Sequence, residues 1–186
     1  MNKELDLNSQ KEFFEAEKLF KEKKFNNALT HYQNILKKFP NHLAVLNNIG
    51  QIFELQGKYE KAMEAFKKCH EINSNEKIFI HNLANIYFLR KDFVNSMPLL
   101  KKVIDIGLDH EGNCEKYAIC LFNTKAFKET KDFITSIHLK YPKNDLLNRL
   151  LGRSLLNLNS HEEGLKYLQS SHGFIQLTPN GIKYLT

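Results

Sequence analysis

Small residues recur every 34 positions along this chain, and this period limits the fold more than any other sequence feature. The series consists of Ala16, Gly50, Ala84, Ala118 and Gly152, with no insertion between its members. Two further series keep the same register, one mainly of aromatic residues and one of large apolar residues. They are Phe25, Tyr59, Phe93, Phe127 and His161, and Tyr32, Phe66, Leu100, Ile134 and Leu168. A fixed period of this length indicates one structural unit that is repeated five times and stacks on its own copies.

The stretch from Leu43 to Asn75 is the clearest copy of this unit. Apolar residues follow helical spacing in its first half, as Leu46 and Ile49 do, and again in its second half. Gly57 and Lys58 separate the halves, so the pattern predicts two amphipathic helices joined by a tight turn. One such pair cannot bury both of its apolar faces alone, and further pairs must therefore pack against it.

The period and its residue types resemble the tetratricopeptide repeat family, whose unit of about 34 residues is a helix–turn–helix pair. The resemblance implies an all-α fold, a right-handed superhelical solenoid of antiparallel helix pairs. Pro40 and Pro142 end two units as the family pattern expects, whereas the aromatic residue expected early in the first helix is missing from every unit. We predict five repeats, at about 9–42, 43–76, 77–110, 111–144 and 145–176.

The two ends of the chain lie outside this pattern. Residues 1–8 are predicted to be a polar N-terminal extension, with Asn8 or Ser9 capping the first helix, and Asn41 is predicted to cap the third. Residues 177–186 do not fit the repeat, because a turn signal, TPNG, stands between two apolar segments. This tail is expected either to fold back on the last helix as a cap or to begin a further domain.

Charge and cysteine content bear on partners and location. The net charge of +6 and the isoelectric point near 9.1 raise nucleic acid as a partner. The lysines, however, are scattered over predicted turns and helix ends, where they suit the helix dipole, and this argues against nucleic acid. Cys69, Cys114 and Cys120 are odd in number, and the first two fall at core positions, which indicates a reducing compartment. No apolar leader or membrane-length stretch is present, so we expect a cytoplasmic protein.

No arrangement of residues predicts catalysis or a cofactor. The sequence contains no His-Glu-x-x-His or Cys-x-x-Cys spacing, no phosphate-binding glycine loop and no nucleophile elbow. Carboxylates such as Glu60 and Glu64 are expected to be solvated rather than paired for acid–base chemistry. We therefore predict that the protein is not an enzyme and needs neither a cofactor nor a metal.

The resemblance implies that the first helices of the repeats line a concave groove for an extended peptide. Amides and one histidine cluster at the central groove positions: Asn47, Asn48, Gln51, His81, Asn82 and Asn85. A carboxamide donates and accepts hydrogen bonds, so it can bind a peptide backbone without reading its side chains. The alternative is that asparagine is simply a frequent surface residue in this chain.

Two further groups of groove residues are candidates for contacting a partner. Phe20, Phe88 and Phe122 each follow the small residue by four positions, and they predict either an apolar docking stripe or packing between adjacent first helices. Lys116, Arg149 and Arg153 form a basic patch that would suit an acidic side chain or a C-terminal carboxylate, unless Glu115 neutralises it.

The predicted function is a non-catalytic protein–protein interaction scaffold that binds an extended peptide segment in the groove, with an acidic part near the basic patch. One alternative is a self-assembling homo-oligomer, in which the N-terminal helix or the tail of one copy occupies the groove of another. A second alternative is the targeting module of a larger enzyme. RNA binding in the pentatricopeptide manner is disfavoured by the 34-residue step.

Overall fold

Tandem helices make up almost all of the protein. The computed structural model describes residues 4–172, 174–178 and 181–185, and these residues form ten α-helices and one β-hairpin. The helices are α1 (Leu7–Lys21), α2 (Phe25–Lys38), α3 (Leu43–Leu55), α4 (Tyr59–Ile72), α5 (Lys77–Leu89), α6 (Phe93–Asp105), α7 (Glu111–Asn123), α8 (Phe127–Ile137), α9 (Asp145–Asn157) and α10 (His161–His172). The predicted all-α repeat fold is confirmed.

The chain divides into two compact units, Met1–Asp92 and Phe93–Thr186. In the first unit, each helix from α1 to α4 packs on the helix that follows it. In the second unit, α6 packs on α7, α7 on α8 and α9, α8 on α9, and α9 on α10. Neighbouring helices thus cover one another's apolar faces, as the repeat pattern requires.

A β-hairpin follows the last helix. Strand β1 (Phe174–Thr178) pairs antiparallel with β2 (Gly181–Leu185), with Thr178 opposite Gly181. Residues 179, 180 and 186 of the predicted tail lie outside the described residues. The roles predicted for residues 177–186, as a cap or as the start of a further domain, remain predictions.

The same turn joins the two helices of every repeat. The second residue after the end of the first helix has a positive φ each time. These residues are Lys23, Gly57, Lys91, Lys125 and Asn159. The next residue donates its backbone N–H to the carbonyl five positions earlier, as Lys58 does to Phe53 at 2.8 Å. This is the Schellman geometry, and it satisfies carbonyls that the end of the first helix leaves unpaired. Only one of the five turns has the glycine that this conformation favours.

The helix caps differ from the predicted ones. Asp6 caps α1 by accepting a hydrogen bond from the Ser9 backbone N–H at 2.7 Å. The prediction of Asn8 or Ser9 was wrong, because α1 begins at Leu7 and both residues are already helical. The cap of α3 is His42 rather than Asn41, and its Nδ1 accepts from the Val45 N–H at 3.3 Å.

The periodic small residues allow paired helices to approach closely. A Cβ atom on Gly50 would lie 2.5 Å from the ring of Phe66, which is fully buried on α4. A Cβ atom on Gly152 would lie 2.7 Å from Leu168 and 2.8 Å from the backbone oxygen of Gly164. Real Cβ atoms do not approach other atoms so closely, so alanine at either position would force its neighbours to shift. Gly50 and Gly152 of the small series therefore contact Phe66 and Leu168 of the large apolar series.

The three cysteines are buried and free. Burial raises the pKa of the Cys69 thiol to about 12 and that of Cys120 to about 11. These thiols serve as small apolar side chains in the core. Within the described residues, no helix is both long enough and apolar enough to cross a membrane.

Candidate functional site

Side chains of α3 and α5 form a mixed polar and apolar surface in the first unit. Two stripes run along these helices at the same helical spacing, and each ends in a leucine. We call this surface the α3–α5 face: Asn48, Gln51 and Leu55 on α3, and Ile78, Asn82, Asn85 and Leu89 on α5. Asn47 and His81 border it.

Two hydrogen bonds between side chains connect the two helices of this face. Asn82 donates its Nδ2 to Asn47 Oδ1 at 2.7 Å, and Asn85 donates to Glu54 Oε1 at 2.6 Å. Asn47 is buried, so its bond helps to satisfy a carboxamide with little access to water. These two bonds therefore fix the geometry of the face, which Asn82 and Asn85 also line.

Asn48 and Gln51 keep hydrogen-bonding capacity for a ligand. Asn48 donates Nδ2 to the hydroxyl of Tyr32 at 2.9 Å, and among the described residues no donor to its carbonyl oxygen is found. Gln51 is half-buried one turn further along α3, and within the same described range its side chain makes no hydrogen bond. Burial raises the pKa of the Tyr32 phenol, which therefore stays protonated at neutral pH.

The exposed apolar side chains of this face were not predicted. Leu55 is 64% exposed and Leu89 is 39% exposed, at equivalent positions one residue after the predicted aromatic row. Ile78 is also exposed, at the other end of the α5 stripe. The signal was present in the sequence, because Leu55 and Leu89 are 34 residues apart, five positions after Gly50 and Ala84.

The predicted aromatic row is in large part used for packing within repeats. Phe20 lies 5.9 Å from the turn aromatic Phe25, and Phe122 lies 5.5 Å from Phe127, measured between ring centroids. Phe20, Phe88 and Phe122 are all half-buried. The contacts of Phe20 and Phe122 thus hold the turn of their own repeat, an arrangement that neither prediction for this row described.

The predicted basic patch lies in the second unit. Arg149 and Arg153 are one turn apart on α9, and Lys116 is on α7, which packs against α9. The guanidinium carbon of Arg153 lies 4.9 Å from the ring centroid of Phe122. Within the described residues, neither arginine has a carboxylate within 4.0 Å.

Glu115 accepts a hydrogen bond from a neutral side chain of α9, and its neutralisation of the basic patch stays a prediction. Asn144, the cap of α9, donates its Nδ2 to Glu115 Oε1 at 2.7 Å and to Glu111 Oε1 at 2.6 Å. The same side chain accepts from the Leu147 N–H through its Oδ1 at 2.8 Å. Asn144 therefore engages the two carboxylates of α7 that lie nearest in sequence to Lys116.

Among the residues that the structure describes, no three His, Cys, Asp or Glu side chains lie close enough to hold a metal ion. His81 is half-buried on α5. What the described surface offers is amides, exposed leucines and a pair of arginines.

Comparison with known proteins agrees with the architecture. Tetratricopeptide repeat models match residues 14–42 and 44–76, and no curated protein sequence matches the chain. YrrB, described as a TPR protein with an unusual peptide-binding site, has a TM-score of 0.79 at 14% identity, over 87% of this chain and 84% of its own. MamA AMB-1 has a TM-score of 0.79 at 16% identity, over 91% of this chain and 93% of its own. MamA MSR-1 has a TM-score of 0.76 at 16% identity, over 90% of this chain and 97% of its own.

The stacked helix pairs define a helical-repeat protein. Two of its repeats match tetratricopeptide repeat models, and the ten helices of its described residues are consistent with about five such repeats. The fold is generally that of a non-catalytic interaction scaffold, and it suggests a protein or peptide as partner.

Proposed function

We propose that this chain is a non-catalytic scaffold that binds an extended peptide segment on the α3–α5 face. The observation that supports this best is the pairing of exposed leucines with amides that still have hydrogen-bonding capacity. Leu55 and Leu89 offer apolar contact area, while Asn48 and Gln51 offer hydrogen bonds to a peptide backbone. The bonds that Asn82 and Asn85 make across the helices hold this surface ready before a ligand arrives.

The expected affinity is moderate. A hydrogen bond from an amide to a peptide backbone contributes about 1 kcal/mol net, and burying an exposed leucine contributes about 1.5–3 kcal/mol at most. A few contacts of each kind correspond to a dissociation constant in about the micromolar range, once the entropy of ordering the peptide is subtracted. A scaffold that exchanges its partners needs no tighter binding.

We further propose that the partner carries an acidic part, which contacts Lys116, Arg149 and Arg153 of the second unit. Charge complementarity supports this contact, because the described residues give neither arginine a carboxylate partner. Such charges increase the association rate and its salt dependence more than they increase affinity.

The test is a peptide selected from a random display library against the whole chain, with binding measured by fluorescence anisotropy. Replacing Leu55→Ala and Leu89→Ala together should weaken binding by about tenfold or more, since each leucine contributes about 1 kcal/mol of buried apolar area. Both side chains are exposed, so helicity by circular dichroism should not change. Leu139→Ala is the matched control, because Leu139 is 95% exposed in the second unit. Equal affinity for the wild type and the double variant would refute binding on this face.

Self-assembly is a second candidate, and α1 supports it. Leu7 and Phe14 are 70% and 69% exposed and lie two turns apart on one face of this helix. Exposed apolar residues aligned on a terminal helix suit contact with another chain. Light scattering over a wide range of protein concentration decides this point: a mass that stays monomeric throughout would remove the candidate. The targeting module of a larger enzyme stays a prediction.

A further inference from the structure

Arg149 and Arg153 form a pair of guanidinium groups on one side of α9. They are four residues apart, so their side chains start about 5–6 Å from each other on the same helix face. Arg153 extends over the ring of Phe122 at 4.9 Å, and Phe122 is itself held edge-on by Phe127 at 5.5 Å. A guanidinium that rests its flat face on an aromatic ring keeps its N–H edge available for a ligand.

Neither guanidinium group of this pair lies within 4.0 Å of a carboxylate in the described residues. Glu111 and Glu115 both accept hydrogen bonds from Asn144. Asp145 lies one turn before Arg149, yet within the described part of the chain the two make no ion pair within 4.0 Å. Both guanidinium groups can therefore make charge-assisted hydrogen bonds to an external anion.

We infer that Arg149 and Arg153 bind a phosphorylated side chain of the peptide partner, an inference that rests on the proposed function. A phosphoryl group carries a charge of about −1.5 to −2 at neutral pH and three acceptor oxygens, so it can bond two guanidinium groups at once. A single carboxylate has one negative charge and would leave one guanidinium unmatched. Arginine suits this role better than lysine because its planar fork makes two parallel hydrogen bonds.

The consequence is that partner binding becomes conditional. Phosphorylation of the partner would add charge-assisted hydrogen bonds at α9 and so switch its affinity. The aromatic support under Arg153 also predicts a geometric requirement, because a lysine at this position keeps the charge but loses both the stacking and the fork.

The experiment compares three degenerate peptide pools that differ only at the central residue, which is phosphoserine, glutamate or serine. Each labelled pool is titrated with the whole chain at constant ionic strength. The phosphoserine pool should bind about tenfold more tightly than the serine pool and several-fold more tightly than the glutamate pool, as expected for two charge-assisted bidentate contacts.

Variants assign the effect to the two arginines. Arg149→Gln together with Arg153→Gln should remove the preference for phosphoserine, and Arg153→Lys should remove most of it. Lys128→Gln together with Lys131→Gln is the matched control, because it removes the same charge from α8 of the same unit and should leave the preference intact.

Three results would overturn the inference: equal binding of the phosphoserine and glutamate pools, a preference that survives in the double arginine variant, and an equal loss in the lysine control. None of these refutes the proposed function, whose test depends on Leu55 and Leu89 in the other unit. Conversely, the double leucine variant could bind as tightly as the wild type while the preference for phosphoserine is intact. That result would refute only the binding on the α3–α5 face.

Discussion

The N-cap residue His42 makes the stability of the folded chain depend on pH. Its Nδ1 accepts a hydrogen bond from the Val45 N–H, which requires a neutral ring with the proton on Nε2. The ring is half-buried and lies 6.0 Å from Phe13, between ring centroids. Burial lowers the pKa of His42 below its ordinary value of 6.5. The folded protein therefore favours neutral His42 more strongly than the unfolded chain does.

The sign of the resulting pH dependence follows from this lowered pKa. Between the folded and the ordinary pKa the unfolded chain binds more protons, so stability falls as pH falls below about 6.5. We expect His42→Asn to keep the cap and to show a weaker fall of the free energy of unfolding between about pH 7 and pH 5. Urea unfolding at a series of pH values measures this. Identical slopes for the two proteins would contradict the assignment to His42.

At the residue scale, the sequence located the amides but not their partners. Asn48 and Asn82 occupy the same position in successive repeats, so both were predicted to bind a peptide backbone. In the structure Asn82 donates to Asn47 and Asn48 to Tyr32, which are contacts between different helices. Sequence spacing within one helix identifies which side chains share a face, whereas contacts between helices depend on how those helices are packed.

One residue in each turn between paired helices has a left-handed backbone conformation, and substitution can test its cost. Lys125 joins α7 to α8 with φ of 62°, a conformation that costs a residue with a Cβ about 1–2 kcal/mol. Lys125→Gly should stabilise the chain by about 0.5–1 kcal/mol, after subtracting the entropy that glycine gains in the unfolded state. Chemical denaturation measures the difference.

The control for this substitution is a lysine in a regular helix. Lys131 lies in the interior of α8 with its side chain 40% exposed, and glycine there should destabilise the chain by about 1 kcal/mol. Asn159→Gly should give a smaller gain than Lys125→Gly, because asparagine already tolerates φ of 62°. Destabilisation by Lys125→Gly would show that its side chain contributes more than the strain costs.

At the element scale, the helices were predictable because apolar residues follow helical spacing and the pattern recurs every 34 residues. The turn at Gly57 was found directly, since glycine marks the left-handed position. At Lys23, Lys91 and Lys125 no residue type marks it, and only the alignment of repeats indicates that the same turn recurs. The docking role predicted for the aromatic row stays a prediction. A residue four positions after the small residue, such as Phe20, contacts the turn aromatic of its repeat. The residues one position further along, Leu55 and Leu89, are exposed to solvent.

At the scale of the whole molecule, stability should be distributed over neighbouring repeats rather than shared by one core. In repeat proteins each unit contacts only its neighbours, so a defect should loosen its own surroundings first. Gly152→Ala forces a Cβ against Leu168 and the backbone of Gly164, which should cost about 1–3 kcal/mol. Amide hydrogen exchange should accelerate in α9 and α10 and stay nearly unchanged in α1 and α2.

Gly112→Ala is the matched substitution for this experiment. Gly112 lies in the first turn of α7, and an added Cβ would meet no atom closer than 3.7 Å. Exchange should therefore remain as in the wild type or slow slightly, because alanine favours the helix. Uniform acceleration along the chain in Gly152→Ala would show instead that the repeats unfold as one cooperative body.

The hydrogen bond from Asn48 to Tyr32 gives the molecule an intrinsic optical probe. The chain has seven tyrosines and no tryptophan, so tyrosine emission is not masked by a stronger fluorophore. Tyr32 is fully buried, and its hydroxyl is bonded to an amide of the proposed ligand surface. A peptide that draws Asn48 toward itself changes the polarity around this phenol. Occupancy of the surface should therefore be readable from the ultraviolet spectrum of the unlabelled protein.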